Sequence, residues 1–320
     1  MRAIGYRVPG PIEATDSLVD IELPMPIPTG QDILVEVRAI SANPVDTKVR
    51  RNVKPEPGDW KILGWDASGV VVSVGPKATL FKPGDEVFYA GDLTRPGTNA
   101  EFHVVDERIV GRKPASLGWA ESAAIPLTAI TAWEALFDRL DVRKPVPGAS
   151  PTILIIGGAG GVGSLAIQLA RKLTDLTVIA TASRPETVEW IRELGAHHII
   201  DHSKPLAAQI TVLGLDAPAF VFSTTNTDKH LDQIAALIAP QGRFALIDDP
   251  VALDISPFKR KSVSVHWEFM FTRSMFETAD IAAQGALLND IARLIDEGTL
   301  RTTLGSVAQI GRRIPFADPA

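Results

Sequence analysis

The chain has no cysteine. That excludes disulfides, thiolate nucleophiles and any zinc site built on thiolates, and it suits a reducing cytoplasm. Long apolar runs are missing too. None approaches the ~20 residues a bilayer-spanning helix needs, and the opening MRAIGYRVPG lacks the apolar segment of a secretory signal, so a cytoplasmic protein with no membrane partner is expected. Positive charge is in short supply. Lys and Arg number 32 against 38 Asp and Glu, a net charge of -6, where a nucleic-acid surface wants a basic face. No partner of that kind is expected. Tyrosine is scarce as well, with two in the chain, Tyr6 and Tyr89.

What is present describes an ordinary globular protein of more than one core. At 320 residues, 45% hydrophobic and 22% charged, two domains are expected. The first 115 residues read as strands and turns: DILVEVRAI (32–40), SGVVVSVG (68–75), GDEVFYAG (84–91) and EFHVVDERIV (101–110), bounded by Gly, Pro and Asp. From about residue 120 the pattern changes. TILII is followed by a helical stretch at 162–174, LTVIAT by PETVEWIREL, then HHIID, AFVFST, a helix near 228–239 and RFALID. Strands alternating with helices indicate a parallel sheet covered on both faces. SVSVHWEFMF then reads as a further strand and ADIAAQGALLNDIARLIDEG as a helix.

Between strand and helix the chain places five glycines in seven residues (157–163). Gly158, Gly160 and Gly163 fit G-x-G-x-x-G in the context that gives the pattern meaning, with a strand before and a helix after. Gly158 permits a tight turn, Gly160 close approach of backbone to a pyrophosphate, and Gly163 close packing of helix on strand. Gly161 and Val162 open the helix, whose free N–H groups and positive dipole end face the phosphate. The competing reading is a merely structural turn.

The second strand of such a unit ordinarily ends, roughly 20 residues on, in an acid that holds the ribose hydroxyls of NAD. Here the sequence is ATASRPE, with Ser183 and Arg184 in that place. A hydroxyl and a guanidinium suit a 2′-phosphate, which makes NADPH the expected cofactor. Alternatively Ser183 caps the next helix and Arg184 is a solvated surface charge.

The motifs NPVDTKVR (43–50), GWDASGVV (64–71), GDEVFYAG (84–91), IPLTAITAWEAL (125–136) and GGAGGVGS (157–164) occur in an order and spacing that resemble the medium-chain dehydrogenases/reductases, in their zinc-independent quinone oxidoreductase branch. The resemblance covers residues 1 to about 300. Proteins of this type also carry the label zinc-type alcohol dehydrogenase-like. It implies an α/β fold with a GroES-like β-rich domain and a Rossmann domain built on a doubly wound parallel sheet, the active site lying between them. The expected division is 1–123 for the GroES-like domain, 124–260 for the Rossmann domain, and 261–320 for a dimer strand and a return to the first domain.

In zinc-dependent relatives a cysteine ligand stands near Asn43 and a His-Glu pair at Trp65-Asp66. An indole N–H is a donor and cannot ligate zinc, so a metal-free site is expected. The resemblance implies that Asn43 bonds near the nicotinamide ribose or a substrate carbonyl, although Asn before Pro44 is also a common turn former. Thr128 would contact the nicotinamide end. Tyr89 resembles a substrate-lining donor and is equally compatible with the core. Thr224 and Ile247 fall at strand ends where such ligands bind. Asp46 either shapes the site or pairs with Lys48 or Arg50. The six histidines show no metal spacing.

Hydride delivery to a quinone or an α,β-unsaturated carbonyl needs little protein acid–base chemistry, because the cofactor carries the hydride. Asn43, Tyr89 or a backbone N–H would stabilise the charge left on oxygen, and either solvent or a side chain could supply the proton. The expected activity is therefore an NADPH-dependent quinone or enone reductase. The alternatives are a non-catalytic NADPH-binding sensor or structural protein of the same fold, and a zinc alcohol dehydrogenase. Val263, Val265, Trp267, Phe269 and Phe271 share one face at period two, an edge-strand hazard that a second subunit would cover, so a homodimer is expected. The ending SVAQIGRRIPFADPA departs from the family's closing helix and strand.

Overall fold

The computed structural model describes residues 1–305, and the atypical ending from 306 to 320 lies outside the described residues. The first part holds strands β1 (Arg2–Tyr6), β2 (Val19–Glu22) and β3 (Asp32–Ile40), then helix α1 (Pro44–Asn52). Strands β4 (Lys61–Ile62), β5 (Asp66–Val74), β6 (Glu86–Ala90), β7 (Phe102–Asp106) and β8 (Val110–Arg112) follow, then helices α2 (Trp119–Ala123) and α3 (Pro126–Trp133). A π-helical stretch, Glu134–Arg139, continues α3. The second part runs β9 (Ser150–Ile156), α4 (Gly161–Leu173), β10 (Thr177–Thr181), α5 (Pro185–Glu193), β11 (His198–Ile200), α6 (Leu206–Val212), β12 (Pro218–Ser223), α7 (Thr227–Leu237), β13 (Arg243–Leu246) and β14 (Ser264–Trp267). It closes with α8 (Thr272–Met275) and α9 (Ala282–Asp296).

The β-rich part is a five-stranded antiparallel sheet in the order β7-β3-β5-β6-β8, beside a three-stranded sheet β2-β1-β4. Ile33, Val35, Val71, Val87 and Val105 from neighbouring strands meet in one buried cluster. The second part is a six-stranded sheet ordered β11-β10-β9-β12-β13-β14, every pairing of which is parallel. Its central strands are buried on both faces. From Thr152 to Ile156 in β9 and throughout β12 no residue is exposed, as helix-covered parallel strands require. This sheet continues past residue 260, because β14 pairs with β13 in register from Arg243–Ser264 to Leu246–Trp267.

Two features join the parts. Helix α4 is buried from Gly163 to Ala170; α3 packs on it, Trp190 donates to the Ser164 hydroxyl at 2.8 Å, and Gln168 donates to the Arg301 carbonyl at 3.3 Å. Helix α9 returns to the β-rich part. Gly285 brings the two backbones so close that a Cβ would stand 2.6 Å from the Arg108 carbonyl, and Asp296 accepts from the N–H groups of Ala115 and Ser116.

The strand expected at 261–271 is shorter. Only Ser264–Trp267 pairs, since Lys261 ends a 3₁₀ turn and the chain leaves the sheet at Glu268. The period-two face breaks with it. Val263 and Val265 pack against the core, Trp267 and Phe269 are exposed, and Phe271 is buried edge-on to Trp65.

Candidate active site

Strand β9 delivers the chain to a loop at the carboxyl edge of the sheet. The positive φ falls on Gly157 (+80°), one residue before the position assigned to the tight turn. Gly158 instead gives close packing, since its Cβ would stand 3.0 Å from that of Ala180. Around Gly160 the space is open, with the Gly157 carbonyl nearest at 3.5 Å. Gly163 is the packing glycine, its Cβ position 2.3 Å from the same carbonyl. Gly160 is the N-cap of α4, and its carbonyl accepts from Ser164 N at 2.8 Å. The N–H groups of Gly161, Val162 and Gly163 have no carbonyl behind them in the helix, and the backbone that leads into it, Gly160 and Gly161, is exposed. That is an anion cradle.

Next to it, β10 is followed, one residue beyond its end, by exposed Ser183 and Arg184. Arg184 is the N-cap of α5, and Thr187 closes that end, its hydroxyl donating to the Arg184 carbonyl at 2.9 Å and accepting from Arg184 N at 3.3 Å. Capping therefore does not fall to Ser183. The Arg184 guanidinium lies 3.3 Å from Glu186, both side chains about two-thirds exposed. Thr224, just past β12, donates its hydroxyl to the Ile156 carbonyl at 2.9 Å, and half-buried Ile247 follows β13 on the same edge.

Across from the glycine loop lies the start of α1. Asn43 is its N-cap, half-buried, with main-chain N donating to Asp46 at 2.7 Å and side-chain Nδ2 donating to Asp66 at 2.8 Å. The second Asp66 oxygen accepts from Leu127 N at 2.8 Å, at the start of α3. Thr128 comes next, its hydroxyl returned to the Ile125 carbonyl and its methyl against Gly161. Asn43, Thr128 and the glycine loop are thus linked through one buried carboxylate.

Burial pushes the Asp66 carboxyl well above the usual carboxylate range, against the pull of the Asn43 amide and the Leu127 N–H. Burial likewise pushes Asp46 up to about 6, although the N–H groups of Asn43 and Gly64 favour its charge. Asp46 pairs with neither expected cation. Lys48 reaches over to Asp249 beyond β13, at 2.6 Å, and Arg50 donates to the carbonyls of Val8 and Gly10.

Tyr89 does not belong to this site. Its side chain is fully buried in the β-rich core, its hydroxyl meets His103 Nδ1 at 3.1 Å, and burial drives its pKa far upward. A phenol sealed in that way touches no substrate. The alternation of β6 turns it inward, beside Val87 in the buried cluster, and a different residue faces the junction. That residue is Asp66, whose partners lie 23 and 61 positions away in the chain.

The donor set does not fit zinc. Trp65 is fully buried and gives its indole N–H to the Asp92 carbonyl at 3.0 Å, while the Asn43 amide is committed to Asp66. Among the described residues no group of three or more His, Cys, Asp or Glu is placed to hold a metal. The open glycine loop does fit a dinucleotide.

A GroES-like domain joined to a nucleotide-binding parallel sheet defines a two-domain oxidoreductase. Two family profiles match, Alcohol dehydrogenase GroES-like domain over residues 29–130 and Zinc-binding dehydrogenase over 161–283. A zinc-type alcohol dehydrogenase-like protein of Staphylococcus aureus is 40% identical, covering 96% of this chain and 91% of its own. The crystal structure of a putative zinc-dependent alcohol dehydrogenase protein from Rhizobium etli is 70% identical with a TM-score of 0.93, over 94% of this chain and 88% of that one. A quinone oxidoreductase structure from Pseudomonas syringae is 28% identical with a TM-score of 0.78, over 94% and 90%. The chain belongs to the medium-chain dehydrogenase/reductase superfamily.

Proposed function

We propose that this chain is a metal-free reductase that uses NADPH to deliver hydride to a quinone or an α,β-unsaturated carbonyl. The observation that carries the reading is the junction itself. The open glycine loop abuts Thr128, and the positions that would hold zinc are filled by Asn43 and Trp65, both spending their N–H groups on other protein atoms.

Gly158, Gly160, Gly161, Val162 and Gly163 would hold the pyrophosphate, Ser183 and Arg184 the 2′-phosphate, and Thr128, Thr224, Ile247 and Asn43 the nicotinamide half. Bound there, the reduced nicotinamide supplies the hydride. The protein's part is to orient it, to exclude water, and to leave protonation of the product to solvent. The test is oxidation of NADPH on adding small quinones and enones, before and after chelation, with zinc measured on the same sample. Chelator-resistant turnover without zinc is the expected result. One equivalent of zinc with chelator-sensitive alcohol oxidation removes the reading, and tight NADPH binding with no turnover on the whole panel favours a non-catalytic protein.

The same reading pairs two copies through β14. Among the described residues that strand is a sheet edge, and Trp267, Phe269 and Phe276 are 55%, 46% and 72% exposed. Sedimentation showing a monomer at micromolar concentration removes the dimer.

A further inference from the structure

We infer that Asp66 is a positioning residue whose carboxylate holds the Asn43 amide in one orientation, so that Asn43 meets the nicotinamide half of the cofactor as a hydrogen-bond acceptor. The inference rests on the reading that a nicotinamide cofactor occupies this cleft, and it assigns Asn43 to the cofactor and not to the acceptor substrate.

The Ser41 main-chain carbonyl has no hydrogen to give, and the Asp66 oxygen next to it is met by the same amide nitrogen, so Asn43 turns its N–H₂ toward both. Nδ2 stands 2.8 Å from Asp66 and 3.4 Å from the Ser41 carbonyl, which uses its other hydrogen. The main chain of Asn43 is fixed as well. Its N–H is held by Asp46, whose second oxygen accepts from Gly64 N at 2.9 Å, and its carbonyl accepts from Asp46 N at 2.9 Å. The amide has one atom left. Oδ1 receives no capping bond from α1, and Asn43 is only half-buried, so this oxygen is what the cleft meets.

A quinone or enone carbonyl, and the oxyanion formed from it, carries lone pairs only and gains nothing from a second acceptor. The ribose hydroxyls and the carboxamide N–H₂ of a nicotinamide nucleotide are donors. Asn43 therefore serves the cofactor, and it is not the oxyanion donor that its residue type suggests. Burying Asp66 is expensive, and an apolar residue would fill the space at lower cost. The return on that cost is orientation, since its other oxygen fixes the start of α3 and so places Thr128.

The experiment is an exchange of the pair, read by fluorescence titration of NADPH, which needs no turnover. Asp66→Asn alone opposes an amide N–H₂ to at least one existing donor, and Asn43→Asp alone faces two carboxylates. Each should weaken NADPH by about tenfold, the worth of one hydrogen bond. In the double variant Asn43→Asp/Asp66→Asn the new amide donates to residue 43 and accepts from Leu127 N–H, and residue 43 keeps an acceptor oxygen toward the cleft. Affinity should return to within about threefold of the wild type, as a restored bond requires. A double variant as weak as the single ones, at an unchanged unfolding temperature, overturns the inference, as does wild-type affinity in Asp66→Asn. If the exchange fails to fold, Asn43→Ala decides, because it keeps the main-chain bonds to Asp46. It should raise the NADPH dissociation constant and leave KM for a quinone unchanged, and the reverse pattern overturns the inference. A chain that binds NADPH but reduces nothing removes the reductase reading alone, and the titration still decides the role of Asp66.

Discussion

The methyl carbon of Thr128 stands 2.8 Å from the point where a Cβ on Gly161 would sit. Thr128 lies in the first turn of α3, and Gly161 is the first residue of α4. Gly161 has no positive φ, so a neighbouring side chain, and not backbone strain, demands glycine there. Gly161→Ala should therefore cost about 1–3 kcal/mol of stability, the usual price of overpacking, and weaken NADPH binding. Thr128→Ser removes the methyl and keeps the hydroxyl, so it should restore most of both in the double variant. Gly163→Ala should resist any such rescue, because it meets the backbone of Gly157 and Gly158. Unfolding curves for the wild type, the two glycine variants and each of them combined with Thr128→Ser check this, and an unrelieved Gly161 double variant would count against the contact.

That contact marks the limit of what the sequence discloses. The parallel sheet, α4 and α5 are legible because their signals are local: an apolar run, a glycine cluster, Pro185 at a first helical position. Helix α1 is not. Its nine residues are largely polar, and what holds its start is Asp46, one of whose oxygens answers Gly64 N far along the chain. The Asn-Pro pair reads as a turn, and only the acid three residues after Asn43 hints at a capped helix. Asp66 is illegible for a stronger reason, as its meaning depends on residues 43 and 127 arriving at one place. Phe271 misleads in the opposite way. Its alternation continues a strand that has already ended, and the ring turns back to fill the space beside Trp65.

Cofactor choice turns on Arg184, and the surroundings set a modest scale. Its side chain is 66% exposed and already lies near Glu186, so solvent screening and competition reduce its gain from a phosphate. Arg184→Ala should weaken NADPH by about tenfold, the lower end for a bond to a charged group, and leave NADH nearly unchanged. Glu186→Gln should move NADPH the other way by a few-fold, since it frees the guanidinium and removes a repelling charge. Titrations of both nucleotides test this. Equal affinity of the wild type for NADH and NADPH would show that ATASRPE does not read the 2′-phosphate.

The last expectation concerns pH. Glu134, in the π-helical stretch, and Glu268, just beyond β14, are buried side by side. Arg273 holds Glu134 and Asp138, Arg139 Nε donates to Glu268 at 2.9 Å, and Asp280 meets Arg273 from the other side. Burial, with the Glu134 charge beside it, pushes Glu268 up to about 9. Its Oε1 is buried with no donor facing it, as suits an oxygen that carries the proton itself. The unfolded chain releases that proton near 4.5 and the folded protein near 9, so the native state holds more protons between those values. The stabilisation is full below 4.5 and is lost as pH rises through 9, with a slope of at most about 1.4 kcal/mol per pH unit from this group. Glu268→Gln keeps a donor for Glu134 and cannot titrate. Its unfolding free energy, measured in urea across the neutral to alkaline range, should overtake that of the wild type as pH rises toward 9. Two parallel curves would mean that Glu268 is already charged in the folded protein.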